Sequence, residues 1–300
     1  MTITGVSFSL FRRLFSGIHY PLGISIDITN RCNLRCKHCY FLNQNQNEEL
    51  SDNDLIEFVK DLKMRYPSVI HAGWIGGEPL LRKELLSKCV GLFKMNMIVT
   101  NGTIEIPKFK NSVFNVSVDG TKEFYEMIRG AKLYDKVKAN ADRDDIPVNV
   151  MCVLNKINCE CIESFVEEWS LTRIQGISFS FYTPQKNCGD DPLLIPDNHK
   201  DILIDRLITL KEQYGDFIIN SKSVLKLMKF RHSSKITRKC IAPKALFSFD
   251  AMGNKKLPCV LGSKVDCSKC GCVMPYEIES VVRRLHFDSI RMVKKYYTGC

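Results

Sequence analysis

At 300 residues, the chain is long enough to bury one substantial core and to carry a small appended domain. Its 45% hydrophobic and 25% charged residues are typical of a soluble globular protein, and no apolar run approaches the roughly 18 residues of a membrane span. The net charge of +10 is uneven, because residues 221–300 hold 17 Lys and Arg against 5 Asp and Glu, so the first 220 residues sum to −2. A basic C-terminal part suits an anionic substrate, a membrane surface or nucleic acid, or it offsets the negative charge of cysteine thiolates.

The first 19 residues form a separate N-terminal segment. Residues 6–18 predict an amphipathic helix with apolar side chains on one face and Arg12 and Arg13 on the other. Such a helix either packs on a neighbouring element or touches anionic lipid at a membrane surface. The two arginines and the lack of a small-residue cleavage site argue against a signal peptide, so a cytoplasmic location is predicted.

From residue 23 onward, strands and helices alternate. The strands are predicted at residues 23–29, 68–75, 95–100, 113–118, 147–154 and 176–182. Helices are predicted between them at about residues 52–63, 80–93, 121–129 and 161–171. This order indicates an α/β fold with a parallel sheet, and six βα units are too few for a closed eight-stranded barrel. An open barrel or a doubly wound sheet remains, and both bind ligands at the C-terminal ends of the strands.

Three cysteines follow the first strand. Cys32, Cys36 and Cys39 have the spacing C-x3-C-x2-C, and three thiolates on one short loop suit a soft metal or an iron–sulfur cluster. The local sequence offers no fourth ligand, which leaves one coordination position open. Buried cysteines, or a zinc site completed from elsewhere, are the alternatives. Fourteen cysteines gathered in clusters indicate metal ligation in a reducing compartment rather than disulfides.

Further polar residues follow the later strands. The segments at these strand ends are residues 76–79, Asn101, Ser117 with Asp119, Asn155 and residues 182–184. Because the C-terminal ends of parallel strands meet at one edge, these residues are expected to converge there with the cysteines.

Two of these motifs together resemble the radical S-adenosylmethionine (SAM) superfamily. They are C-x3-C-x2-C after the first strand and Gly-Gly-Glu-Pro, residues 76–79, after the second. The resemblance covers residues 20–185 and implies a partial (β/α)6 TIM-like barrel. It implies a [4Fe–4S] cluster on Cys32, Cys36 and Cys39, with SAM bound to the fourth iron. Reductive cleavage of SAM would then give a 5′-deoxyadenosyl radical that abstracts hydrogen from a substrate. It also implies an electron donor such as a flavodoxin or ferredoxin.

The resemblance assigns cofactor contacts to residues at the strand ends. These candidates are Gly76, Gly77, Glu78, Pro79, Asn101, Ser117, Asp119 and Arg129. Residues 76–78 would hold the methionine amino group. Ser117 and Asp119 would contact the ribose or the carboxylate, or simply form a strand-end turn. Arg129 would pair with the methionine carboxylate or remain a solvated helix charge.

The C-terminal region contains a second group of cysteines. After a helical linker over residues 186–239, with helices at 197–214 and 221–231, a β-hairpin is predicted between Cys240 and Cys259. The order cysteine, hairpin, cysteine, C-x2-C resembles the twitch/SPASM-like auxiliary-cluster region. The predicted ligands over residues 240–300 are Cys240, Cys259, Cys267 and Cys270, with Cys272 as a spare. Zinc is the alternative occupant, and residues 278–297 are predicted to form one amphipathic helix.

The sequence therefore predicts a radical SAM enzyme with an auxiliary cluster and an unidentified substrate, for which an anionic lipid, a sugar or nucleotide, and a peptide are the candidates. A sugar or nucleotide fits the compact size, and an anionic lipid fits the two basic amphipathic segments. A peptide is disfavoured at this point, because the 20 residues before the barrel show no leader-binding domain. The rival is a zinc-stabilised nucleic-acid-binding protein, suggested by C-x2-C and the basic C-terminal part. Nucleic acid is disfavoured, because no nucleic-acid module is readable and aromatic residues do not interleave with the basic ones.

Overall fold

One eight-stranded sheet organises the computed structural model, which describes residues 21–41 and 48–297. The strands are β1 Gly23–Asp27, β2 His71–Ile75, β3 Met95–Thr100, β4 Ser112–Ser117, β5 Val148–Leu154, β6 Gly176–Phe181, β7 Leu246–Phe249 and β8 Lys255–Lys256. Their spatial order is β6–β5–β4–β3–β2–β1–β7–β8, so β6 and β8 are the two edges and the barrel stays open. The predicted α/β partial barrel with its six parallel strands is confirmed.

The C-terminal hairpin is part of this sheet, which the sequence did not predict. Its first strand, β7, pairs in parallel with β1, with Gly23 opposite Leu246 and Ile26 opposite Phe249. Its second strand pairs antiparallel with β7 over only two residues. The pairing covers the backbone groups of β1 that would otherwise lie at an exposed edge. The C-terminal region therefore contributes a seventh parallel strand to the barrel.

Helices connect the strands and cover the outer face of the sheet. They are α1 Asp52–Arg65, α2 Lys83–Val90, α3 Lys122–Arg129, α4 Tyr134–Ala141, α5 Ile162–Ser170, α6 Asp197–Tyr214, α7 Lys222–Met228, α8 Phe230–Arg238, α9 Ala242–Ala245, α10 Met274–Ile278 and α11 Phe287–Tyr297. The predicted N-cap of the first helix is present, since Ser51 Oγ accepts a hydrogen bond from the Asp54 N–H. The predicted helix at 221–231 is in fact two helices, because Lys229 adopts an extended conformation between them.

The two faces of the sheet differ in chemistry. Alternate residues such as Ile26, Trp74 and Ile98 belong to the main hydrophobic core under the helices. The intervening residues include small polar side chains that bond across strands. Ser25 Oγ donates to Ser248 Oγ at 2.9 Å, and Asn149 Nδ2 donates to Asn115 Oδ1 at 3.2 Å. This inner face is therefore suited to surround a polar ligand rather than to fill a dry core.

The predicted continuous helix over residues 278–297 is wrong. The chain forms α10, a π-helical turn at Glu279–Arg283 and a break at Leu285, whose φ is +53°. Leu285 is consequently exposed, whereas the predicted core residues Met292 and Tyr296 are buried. The predicted helix at residues 6–18 lies outside the described residues. Among the described residues, every helix is too short or too polar to cross a bilayer.

Candidate active site and cysteine centres

The cysteine loop, residues 29–41, leaves the C-terminal end of β1. Cys32, Cys36 and Cys39 are all partly exposed. The Lys37 N–H donates to the Ile128 carbonyl at 2.8 Å, which anchors the loop to α3. Burial raises the pKa of Cys32, and it raises that of Cys36 to about 11. Thiols of this kind remain protonated until a metal or cluster replaces the proton.

The paired glycines after β2 make room for this loop. Gly76 has a φ of +127°, and a Cβ on Gly77 would lie 2.0 Å from the Arg31 carbonyl oxygen. The Gly77 and Glu78 N–H groups donate to the carbonyls of Thr29 and Arg31, each at 2.8 Å. Two glycines are required because the backbones of the two loops touch here.

Glu78 joins the ends of β2 and β3. Its carboxylate is fully buried and accepts hydrogen bonds from the Leu80 N–H, the Thr100 hydroxyl and the Asn101 N–H at 3.0, 2.7 and 2.7 Å. Burial raises the pKa of Glu78, and these hydrogen bonds oppose the rise. Pro79 begins a short 3₁₀ turn at the same point. The three donors fix the carboxylate in the wall of the site.

Asn101 brings an amide to the first cysteine. Its Nδ2 donates to Asn33 Oδ1 at 2.8 Å and lies 3.9 Å from Cys32 Sγ. Its Oδ1 accepts from the Thr103 N–H at 3.0 Å. The amide thus faces the cysteine loop, and Asn33 and Thr103 are partners that the sequence did not single out.

Asp119, Arg129 and His38 form a buried group beneath the loop. Arg129 Nη2 lies 2.7 Å from Asp119 Oδ2, and His38 Nε2 lies 3.3 Å from the same oxygen. Asp119 Oδ1 accepts from the Val153 N–H at 2.9 Å. Burial lowers the pKa of His38, which favours the neutral imidazole. Arg129 is buried, so it is not the solvated helix charge of the alternative interpretation.

Arg129 also reaches the second cysteine. Its Nη1 lies 3.9 Å from Cys36 Sγ. A guanidinium at that distance favours a negative sulfur. Ser117, the remaining candidate, ends β4 on the inner face and is half-buried.

The five C-terminal cysteines line one cavity of about 230 Å³. They are Cys240, Cys259, Cys267, Cys270 and Cys272. The pKa of Cys270 is raised to about 12, chiefly by burial and in smaller part by the neighbouring thiols of Cys259, Cys240 and Cys267. The pKa of Cys272 is also raised by burial, with Cys270 and Cys259 as the thiols near it. All five thiols therefore border one space.

This cavity is fastened to the end of β6. The Phe181 N–H donates to the Gly271 carbonyl at 2.8 Å, and the Gly271 N–H donates to Thr183 Oγ1 at 2.9 Å. A Cβ on Gly271 would lie 2.3 Å from the Phe181 carbonyl oxygen, so the two backbones are in contact. The cysteine-rich segment is thereby held at the same end of the barrel as the cysteine loop.

A second cavity, of about 210 Å³, lies between the cysteine loop and the β7–β8 hairpin. Tyr40 and Phe41, directly after Cys39, line it together with Asp27 and Lys256. Asp27 is buried, with Oδ2 2.8 Å from Lys256 Nζ and Oδ1 without a hydrogen-bond partner. Sequence reasoning missed this site. The one available signal was an acidic residue at the end of an apolar strand.

Residues 26–168 match the sequence model of the Radical SAM superfamily, and the cysteine loop with its Gly-Gly-Glu-Pro contact lies within that span. The chain carries a radical SAM domain over these residues. The predicted family, the [4Fe–4S] cluster and SAM that it implies, and the enzyme class are confirmed.

Individual relatives match only part of the chain. An uncharacterized protein of Methanocaldococcus jannaschii is 27% identical over 54% of this chain and 63% of its own length. The serine-type anaerobic sulfatase-maturating enzyme of Bacteroides thetaiotaomicron is 30% identical over 43% of this chain and 38% of its own length. The chain thus spans less than two thirds of these curated relatives.

The fold extends further than the sequence match. Streptococcus suis SuiB bound to SAM superposes with a TM-score of 0.66 at 16% identity, over 88% of this chain and 67% of SuiB. SuiB has also been solved with its precursor peptide SuiA. The shared fold therefore includes both the barrel and much of the C-terminal region.

In neither cysteine centre do three sulfurs lie as close together as the ligands of a single zinc ion. Tetrahedral zinc with bonds of ~2.3 Å to sulfur holds thiolates ~3.8 Å apart. Within residues 21–41 and 48–297, the one group of three metal-type donor atoms lying within 4.8 Å of one another is Cys159, Glu160 and His199. Neither the cysteine loop nor the C-terminal cavity has the compact spacing of a zinc site.

Proposed function

We propose that this protein is a radical SAM enzyme whose active site lies between the cysteine loop and the β7–β8 hairpin, and that its substrate is a peptide. Cys32, Cys36 and Cys39 would hold the [4Fe–4S] cluster, and residues 76–78 would border the SAM site. When bound, the cluster and SAM supply one-electron cleavage of the sulfonium and a 5′-deoxyadenosyl radical that takes a hydrogen atom from the substrate.

The observation that carries this proposal is the pair of N–H donors beside two of the three thiols. Asn101 Nδ2 and Arg129 Nη1 each lie 3.9 Å from a cysteine sulfur, one at Cys32 and one at Cys36. Hydrogen bonds and positive charge near the sulfurs are among the factors that set the reduction potential of such a cluster. The arrangement thus serves electron transfer from a donor such as a flavodoxin or ferredoxin.

An auxiliary iron–sulfur cluster in the C-terminal cavity is part of the proposal. Cys240, Cys259, Cys267 and Cys270 would bind it, since all four line the cavity and the thiols of Cys240, Cys259 and Cys267 each raise the pKa of at least one other thiol of this group. Burial raises the pKa values of Cys240 and Cys259, and two nearby cations, Arg283 at Cys240 and Lys256 at Cys259, oppose the rise. Part of the basic C-terminal charge therefore offsets thiolates rather than binding an anionic partner.

A peptide substrate fits the cavity at Asp27 better than an anionic lipid or a nucleotide. Its charged lining consists of Asp27, Asp250, Lys255 and Lys256, so the charges cancel. Asp27 Oδ1 is buried without a donor, and a backbone amide of a peptide would supply one. The fold shared with SuiB, solved with its precursor peptide, supports the same choice.

The radical chemistry is tested by anaerobic reconstitution. With dithionite and SAM, the wild-type protein is expected to form 5′-deoxyadenosine, and Cys36→Ala is expected to form none. Cys188→Ala is the matched control, because Cys188 is exposed and lies outside both cysteine centres. A Cys36→Ala protein that still makes 5′-deoxyadenosine would contradict the assignment.

Iron counting tests the auxiliary cluster separately. Two clusters correspond to about eight iron atoms per chain and one to about four. Cys270→Ser is expected to lower the count from about eight to about four and to leave the other centre intact, whereas Cys272→Ser is expected to change it little. About four iron atoms in the wild-type protein would remove the auxiliary cluster.

The substrate class is tested with peptides encoded by genes adjacent to this one. A peptide substrate deuterated at the reacting carbon transfers deuterium to 5′-deoxyadenosine, which mass spectrometry detects. Asp27→Asn should weaken this peptide-dependent transfer and preserve the peptide-independent cleavage of SAM. Transfer from a nucleotide or lipid, and none from any peptide, would refute the peptide proposal.

A further inference from the structure

A separate group of metal-type ligands lies where the connection from β5 to α5 meets the beginning of α6. Cys159 is the first and Glu160 the second residue of the short 3₁₀ turn Cys159–Cys161, and His199 lies in the first turn of α6. One donor atom from each of the three lies within 4.8 Å of the other two. The group belongs to neither cysteine centre described above.

Its distances match the edges of a coordination tetrahedron. Glu160 Oε1 lies 3.7 Å from Cys159 Sγ and 3.4 Å from His199 Nε2. Zinc bonds of ~2.3 Å to sulfur and ~2.1 Å to nitrogen and oxygen place the ligand atoms ~3.4 to 3.6 Å apart. The three atoms thus already surround a gap that one ion of this size would fill.

A neighbouring ion pair orients the carboxylate. Arg206 Nη1 lies 3.1 Å from Glu160 Oε2, the oxygen that does not face Cys159 and His199. Arg206 also pairs with both oxygens of Glu163, at 2.8 and 2.6 Å, so its positive charge is balanced there. A hydrogen bond to the far oxygen of a ligating carboxylate is the usual outer support of a metal site.

The solvent exposure of these residues would let an ion reach the site. Cys159 is buried, but Glu160 is exposed and His199 is partly exposed, so the gap is open to solvent. A thiolate, an imidazole and a carboxylate together form a ligand set that zinc accepts.

We propose that Cys159, Glu160 and His199 bind one zinc ion, with the fourth position open to water. The ion would link the β5–α5 connection to α6 and so fix the α6 end of the segment 182–196, which runs between β6 and α6. That segment already contacts the connection, because the Lys156 N–H donates to the Leu193 carbonyl at 3.0 Å. Leu194 and Ile195 of the same segment line a cavity of about 150 Å³ that reaches Cys270.

The test uses the full chain after anaerobic reconstitution with iron and sulfide, incubated with zinc sulfate and desalted. Elemental analysis is expected to find one zinc per chain, and X-ray absorption at the zinc edge is expected to find one sulfur among nitrogen and oxygen ligands. His199→Gln and Cys159→Ser should each weaken zinc binding by about tenfold or more. Zinc should raise the melting temperature of the wild-type protein and not that of His199→Gln.

Two control variants accompany these. Cys188→Ser and His232→Gln change an exposed cysteine and a partly exposed histidine elsewhere, and both should bind zinc as the wild-type protein does. Because His199 is partly exposed, His199→Gln tests the site even where Cys159→Ser disturbs the core. Zinc binding of wild-type strength in His199→Gln, or a zinc edge dominated by sulfur ligands, would overturn the proposal. The comparison holds whether or not the enzyme cleaves SAM.

Discussion

Replacing Arg129 by methionine is expected to destabilise the barrel strongly. The change removes the guanidinium that lies 2.7 Å from Asp119 and leaves that carboxylate fully buried. One oxygen of Asp119 still accepts the hydrogen bond from the Val153 N–H. The other faces only His38, whose pKa is lowered by burial, so the imidazole offers little compensating charge.

The expected magnitude follows from this environment. Breaking a buried ion pair by removing one partner costs ~3–5 kcal/mol, because the remaining charge is uncompensated. An exposed pair contributes ~0–1 kcal/mol. The exposed pair of Lys60 with Glu57, at 2.7 Å, is the matched comparison, and Lys60→Met should cost less than about 1 kcal/mol.

Urea unfolding of the protein without its cofactors measures both values. Trp74 and Trp169 are the two tryptophans, and both are fully buried in the main core, so their fluorescence reports the barrel. The double variant Arg129→Met/Asp119→Asn should lose less stability than the two single variants summed, since it leaves no unpaired charge. A cost for Arg129→Met no larger than that of Lys60→Met would refute the reasoning.

Three further predictions concern other parts of the chain. Burial raises the pKa of Asp27 to about 6, so the folded state binds the proton of this carboxyl group more tightly than the unfolded state does. The stability that this proton contributes is therefore lost as the pH rises through 6. When the pH is raised from 4 to 7, the free energy of unfolding of Asp27→Asn in urea should therefore increase by about 2 to 3 kcal/mol relative to that of the wild-type protein. A difference between the two proteins that does not change with pH would contradict this. Gly77→Ala places a Cβ 2.0 Å from a carbonyl oxygen of the cysteine loop and should lower the iron bound there, whereas Gly91→Ala, with its nearest atom at 3.6 Å, should bind iron normally. Leu285→Gly relieves a φ of +53° and should stabilise by about 0.5–1 kcal/mol, while Leu171→Gly, at an exposed residue with φ −85°, should not. Equal effects at these two leucines would count against the strain argument.

Local patterns in the sequence determined much of the barrel. The six strands from β1 to β6 were predictable because each is a short run rich in apolar residues that ends at a turn-forming residue. Glycine, asparagine or aspartate marks the ends of the first five, and Pro184 follows the sixth. The order of strands and helices then required parallel pairing and brought their C-terminal ends to one edge. Cys32, Cys36 and Cys39 were found in the same way, because their spacing is contained within eight residues of the chain.

The break at Leu285 shows where local pattern reasoning fails. The apolar spacing over residues 278–297 fits one helix, yet the chain forms a π turn and then a residue with positive φ. A Ser280 hydroxyl at 2.9 Å from His286 Nδ1 stabilises the break. Hydrophobic spacing cannot report such a contact, because it describes which face is apolar and not whether the backbone is continuous.

Only the tertiary structure decided which distant residues meet. Lys256 is 229 positions from Asp27 along the chain, yet their side chains are hydrogen-bonded. Arg129 reaches Cys36 across 93 positions. These contacts arise because β7 pairs beside β1 and α3 packs beneath the cysteine loop. Short-range patterns in the sequence do not report either contact, because each joins segments that are far apart in the chain. The sequence alone therefore determined the chemistry of the cysteine loop, and the tertiary structure determined which residues surround it.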